Sequence, residues 1–272
     1  MADFWLPLAY AVFVWWLTTG IVWWLDGLPK STFRWSMTGA TALLLAAGYL
    51  LHASAAEPSV RGAYLAFSSA IMIWGWLEMS FLMGFITGVR KQACAERCSG
   101  WPHFLHATQA IIYNELATLI GAAAVFGATY QAPNRVALWT YLILWTMRLS
   151  AKLNLFLGVP NLGERFLPAH LQYLKSFFRK RPMNFLFPIA VTGSTLAGAS
   201  LIRRSWAAGD AFQSVGYALE ASLLMLAVLE HWFMVLPLPT ESLWSWAFKA
   251  DDADERPKAH GARLTAEVPS HT

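Results

Sequence analysis

The chain predicts an all-α fold, a polytopic membrane protein built as a bundle of about seven transmembrane helices. Three observations carry this. Of its 272 residues, 57% are hydrophobic and 13% charged, whereas a soluble domain is about half apolar and a quarter charged. Seven apolar runs each approach or exceed the roughly 20 residues that cross a hydrocarbon core. Fifteen tryptophans are present, and Trp5, Trp23, Trp24, Trp35, Trp101, Trp206, Trp244 and Trp246 sit near the ends of these runs, as interfacial aromatic belts require. Trp15, Trp16, Trp74, Trp76 and Trp145 lie deeper and need packing partners or a flat ligand.

The first run, 4–25, has no basic region before it and is long enough to span, so it reads as a mature helix and not a cleaved signal. The second is 36–54. The third, 62–88, carries Glu78, and the fourth, 102–129, carries His103, His106 and Glu115. The fifth, 135–158, holds Arg148 and Lys152, the sixth is 184–202, and the seventh, 211–238, holds Glu220, Glu230 and His231. The third, fourth and seventh are long enough to tilt or to project past the hydrocarbon. No internal repeat is evident.

Between the fifth and sixth spans, Pro168 can begin a helix in which Leu167, Leu171, Leu174 and Phe178 recur at helical spacing. Such an amphipathic segment belongs in the cytoplasmic interface, where it seals the bundle or offers a docking surface. Residues 1–245 thus form the membrane bundle. The segment 246–272, rich in Asp, Glu, Lys, Ala and Pro, reads as a disordered cytoplasmic tail.

Basic residues set the orientation. Fourteen lie in the first, third and fifth loops and the tail, against four (Arg61, Arg135, Arg203, Arg204) on the other side. The N-terminus is therefore expected outside and the C-terminus in the cytoplasm. The basic loops are explained by this topology, and no phosphate loop, nucleophile elbow or nucleic-acid motif is present.

Ionisable groups at membrane depth are costly, so they should face the bundle interior and have partners. Glu78 lies twelve residues before Arg90, about 18 Å along a helix. Glu115 reaches a similar depth, and Arg148 and Lys152 share one face of the fifth span at i and i+4. The simplest consequence is mutual neutralisation that fixes how the helices pack.

A metal or tetrapyrrole could use the same depth. His103 and His106, at i and i+3, can serve one ion, Glu230 and His231 add a carboxylate–imidazole pair, and His170 could approach from the fifth loop. Together they offer the ligand types of a non-haem iron site. No E-x-x-H motif is present, and His106 and Glu115 face opposite sides of a regular helix. A neutral imidazole also suits the magnesium of a chlorophyll or the iron of a haem. Cys94 and Cys98 extend the histidines to C-x3-C-x4-H-x2-H, a zinc-like pattern that straddles a membrane boundary; in a reducing cytoplasm the thiols should stay free.

Four stretches together resemble one family: WGWLEMSFLMGFITG, CSGWPHFLHATQAIIYNELATL, the block from RLSAKLNLFLGVPNLGERFLPAHL through FRKRPMNFLFP, and LEHWFMVLPLP. They are similar to the PuhE family, proteins assigned to photosynthetic complex assembly in anoxygenic phototrophic bacteria. The resemblance covers roughly 4–245. It implies a multi-pass inner (intracytoplasmic) membrane protein that assembles the reaction centre and light-harvesting complex or adjusts bacteriochlorophyll supply. Implied partners are the subunits of those complexes, pigment-synthesis enzymes and membrane lipid. The recurrent polar positions would be Glu78, His103, His106, Asn114, Glu115, Arg148, Lys152, Asn154, Glu164, Arg165, His170, Glu230 and His231. The competing expectation is a non-haem iron oxidoreductase acting on a tetrapyrrole or carotenoid intermediate. A transporter fits less well, since the chain shows no inverted halves.

Overall fold

The computed structural model describes residues 2–95, 98–163, 167–237 and 243–247, without the side chains of residues 2 and 3. Among these, seven α-helices alternate in direction: α1 (Ala2–Asp26), α2 (Phe33–Ala55), α3 (Val60–Leu82), α4 (Gly100–Thr129), α5 (Val136–Leu157), α6 (Leu186–Ala207) and α7 (Ala211–Phe233). Six are long and apolar enough to cross a membrane, the exception being α5. That helix carries Arg148 and Lys152, yet it packs against α3, α4 and α7 inside the bundle. The protein is a polytopic helical membrane protein.

Small residues decide which helices sit at the centre. Ala63, Ala66 and Ala70 of α3 are fully buried, as are Ala218, Leu219 and Ala221 of α7, and more than half of the apolar stretch of each helix is covered. Alanine lets neighbouring backbones approach closely where lipid provides no hydrophobic drive. The buried Tyr141 of α5 donates from Oη to the Thr118 carbonyl of α4 (2.8 Å) and lies edge-on to Trp74. Helix starts are capped by side chains: Ser59 Oγ accepts from Gly62 N (3.0 Å), and Asp210 Oδ1 accepts from Gln213 N (2.8 Å). Asn184 starts α6, accepting from Leu186 N and Phe187 N while its Nδ2 donates to Asn154 Oδ1 and Gly158 O.

Two segments differ from the sequence expectation. The third span was expected to run to 88, but α3 stops at Leu82, where Gly84 adopts φ +80°. The following apolar residues, Phe85, Ile86 and Val89, continue as non-helical chain along α4. There Arg90 N donates to Gln109 O (3.2 Å), and Asn114 N donates to Thr87 O (3.0 Å). Gly88 permits the approach, because a Cβ there would fall 2.1 Å from Gln109 O. Phe85 N and Ile86 N fold back on Ser80 O, so the segment's backbone is satisfied partly by the end of α3 and partly by α4, which a hydropathy pattern does not reveal.

The amphipathic segment is a 3-10 helix, Ala169–Phe177, and not an α-helix. A period of three puts Leu171, Leu174 and Phe177 on one face. All three are buried against Phe81, Leu82 and Ala110, so the apolar face seals the bundle. At the opposite flank, Trp244 is buried where a belt position was expected. Its Nε1 donates to Trp16 O and its ring meets Trp15 and Trp23, while Trp16 Nε1 donates to Leu243 O. Beyond Ala247 the expected tail lies outside the described residues.

Candidate functional site

Helices α1, α3, α4, α5 and α7 enclose a cavity of about 710 Å³. Each contributes one face at helical spacing: Trp15, Thr18, Thr19 and Val22 from α1; Ile71, Trp74, Gly75 and Glu78 from α3; Phe104, Ala107, Thr108, Ile111 and Glu115 from α4. From α5 come Leu144, Arg148, Lys152 and Leu155, and from α7 Leu223, Ala227, Glu230 and His231. The walls are mostly aliphatic and aromatic, with the charges gathered in one zone. Asn161, Gly163, Leu167 and Phe178 extend the lining toward the loop-bearing end.

Arg148 Nη2 lies 2.7 Å from Glu78 Oε2, and Lys152 Nζ lies 2.7 Å from Glu115 Oε1. The i, i+4 spacing on α5 presents both cations on one face, one toward α3 and the other toward α4. Side-chain exposure of 39% for Arg148 and 19% for Glu78 is exposure to the cavity. The pair is therefore neither fully desolvated nor screened by bulk water, and its worth lies between those limits. Arg148 Nε is buried without a hydrogen-bond partner. Glu230, also reachable through the cavity, accepts from Trp15 Nε1 (2.8 Å), with Arg148 and Glu78 as the charges near it. Three carboxylates thus meet two cations, and a carboxylate without its own cation remains for a guest. Sequence pointed to Trp15 only as a deep aromatic that needs packing partners or a flat ligand.

His231 is held differently. Its Nδ1 is 2.9 Å from Ala227 O and its Nε2 is 2.9 Å from Ser150 Oγ. A carbonyl only accepts, so Nδ1 carries the proton and Nε2 accepts from the serine hydroxyl. Both ring nitrogens are engaged. His170 Nε2 donates to Leu82 O (2.7 Å), pinning the 3-10 segment to the end of α3. His103 and His106 leave the cavity for a cluster with Cys94 and Cys98. The five histidine and glutamate ligands expected of an iron site therefore do not converge. Among the described residues, the ligand atoms that come together are those of Cys94, Cys98 and His106. Glu115 faces the cavity while His106 turns away, and Glu164 and Arg165 lie outside the described residues.

Burial holds the His170 imidazole below its ordinary value, with Lys30 and Lys91 adding to the effect against its bond to Leu82. A histidine with a lowered folded value contributes its full stability above about pH 6.5 and loses it as the pH falls, because the unfolded form binds the proton first. The protection of Leu171–Phe177 amides from hydrogen exchange, taken relative to unstructured chain at the same pH, should fall between about pH 7 and pH 5. In His170→Gln that acid-dependent step should be absent.

A seven-helix bundle with paired charges around an internal cavity defines a polytopic integral membrane protein. The chain belongs to the family described as "Protein of unknown function (DUF3623)", matched over residues 1–255. It is 38% identical over 251 residues to a protein of Rhodobacter capsulatus named "Uncharacterized 30.4 kDa protein in puhA 5'region", covering 90% of this chain and 91% of that one. No solved structure matches the chain.

Proposed function

We propose that the protein holds bacteriochlorophyll or a precursor in the five-helix cavity, as a membrane factor for assembly of the photosynthetic reaction centre and light-harvesting complex. The observation that carries this reading is the cavity: about 710 Å³ of largely apolar space with a few convergent polar groups. Ligand pockets typically occupy about 300–1,000 Å³ and are built in this way. A chlorin ring is flat, apolar and edged with carbonyl groups. Trp15, Trp23, Trp74 and Phe156 supply surfaces against which it can pack. Arg148, whose guanidinium end reaches the cavity, can donate to a carbonyl or carboxylate of the ligand. Glu230 offers an oxygen to a hard cation such as magnesium. The pigment would supply the light-absorbing ring; the chain's own residues bind, orient and keep it from lipid and water.

The context comes from the relative named for its place beside puhA and from the resemblance to the PuhE family. On this reading the protein lies in the bacterial inner membrane, N-terminus periplasmic and C-terminus cytoplasmic. Lys180 and Arg181 are exposed on a loop braced by bonds of Arg179 and Arg181 to Leu155 and Val159, which supports them as a rigid contact surface for a nascent subunit. The reading of the protein as an iron oxidoreductase has less support, since its ligands lie apart.

The test is purification of the full chain from a phototrophic bacterium in mild detergent, with an absorption spectrum run beside iron analysis. About one pigment per chain is expected. Stoichiometric iron with no pigment would overturn the proposal.

A further inference from the structure

Outside the cavity, one cluster of soft donors has no part in pigment binding. His106 Nδ1 lies 3.3 Å from Cys98 Sγ and 3.5 Å from Cys94 Sγ, and His103 Nδ1 lies 3.4 Å from Cys94 Sγ. The sulfur and nitrogen atoms of Cys94, Cys98 and His106 all fall within 4.8 Å of one another. Hydrogen bonding explains this set poorly. An imidazole nitrogen has either one proton or one lone pair, and His106 Nδ1 faces two sulfurs at once.

A metal explains the convergence of Cys94, Cys98 and His106. Zinc bonds of about 2.3 Å to sulfur and about 2.0–2.1 Å to nitrogen, at tetrahedral angles, place sulfur and nitrogen ligands about 3.5 Å apart. The His103 ring is fixed as a ligand ring usually is: it stacks on Phe156, and the Phe177 backbone lies within its reach. We propose that Cys94, Cys98 and His106 bind one zinc-class divalent cation, with His103, which meets Cys94 Sγ but lies outside that three-atom group, swinging into the fourth position on binding. Binding displaces two thiol protons, and the resulting pair of thiolates balances the charge of the ion.

The site joins three pieces of chain at the loop-bearing end. Cys94 belongs to the segment that follows α3, the histidines to the first turns of α4, and Cys94 N donates to Ser176 Oγ of the 3-10 segment (2.8 Å). An ion there would clip the cover of the cavity to the bundle. If this end faces the cytoplasm, reduced thiols favour metal over a disulfide.

The experiment is metal analysis of the full-length protein, purified in detergent with reductant and without a polyhistidine tag. About one zinc per chain is expected. Cys94→Ser, Cys98→Ser and His106→Ala should each fall below about a tenth of that, whereas His106→Cys should keep the ion, because Cys₃His is also a zinc set. Cobalt added to the metal-free wild-type protein should give thiolate charge-transfer absorption, absent in Cys94→Ser/Cys98→Ser. Metal content unchanged by these substitutions, wild-type protein that takes up neither zinc nor cobalt, or a Cys94–Cys98 disulfide in freshly alkylated protein would overturn the proposal. If the variants do not fold, the wild-type cobalt spectrum decides alone. None of these readouts depends on pigment, so the two proposals fail separately.

Discussion

Replacing Arg148 with alanine should lower the stability of the bundle by about 3 kcal/mol, seen as a fall of several degrees in the melting temperature in detergent. The substitution strands Glu78 as a carboxylate among Trp74, Phe81 and the other apolar walls. Removing one partner of a buried pair costs about 3–5 kcal/mol. The low end applies because Arg148 reaches the cavity, so water can follow the lost guanidinium. Glu78→Ala should cost a similar amount. The double variant Glu78→Gln/Arg148→Met should recover part of the loss, since no lone charge is left behind. Lys152 senses both Arg148 and Glu78, so variants in the two pairs should not add. Equal stability of wild-type and Arg148→Ala protein would show that the pair does not fix the packing of α3 on α5.

Gly75→Phe should remove pigment binding and leave the fold intact. Gly75 lines the cavity on α3, and a Cβ added there meets nothing within 4 Å. A benzyl group would grow into empty space where a ring ligand is proposed to lie. Replacing a helical glycine with phenylalanine gains about 0.3–0.5 kcal/mol of propensity, and filling an apolar void adds to it. Melting should therefore hold steady or rise. Retained pigment should fall at least about tenfold, equivalent to about 1.4 kcal/mol. A folded variant that binds as wild type would place the ligand elsewhere.

The spans were legible because about twenty apolar residues in a row have few alternatives in water or lipid. The end of α3 was not. Phe85, Ile86 and Val89 look like helix in a hydropathy window, and only the structure shows that Phe85 N and Ile86 N fold back on Ser80 O while Thr87 O and Arg90 N pair with α4. Charge pairing was half legible. The i, i+4 spacing of Arg148 and Lys152 put two cations on one face, but which carboxylate each would meet depended on how α3 and α4 flank α5.

The histidines show the limit most clearly. His231 sits beside Glu230 in sequence and reads as half of a ligand pair, yet a serine from α5 and its own helix carbonyl occupy both nitrogens. His103 and His106 were legible as neighbours on one helix. Their meeting with Cys94 follows from the unexpected course of the chain after Gly84, which turns the C-x3-C-x4-H-x2-H spacing into a compact cluster.

Tryptophan fluorescence tests whether the pocket is a binding site. Trp15, Trp23, Trp74 and Trp244 all line it. Bacteriochlorophyll titrated into detergent-purified, pigment-free protein should quench this emission saturably at one pigment per chain, and Gly75→Phe should abolish the saturable phase. Quenching that rises without saturation, equal in both proteins, would mean that pigment merely partitions into the detergent and that the charged interior of this bundle has no such guest.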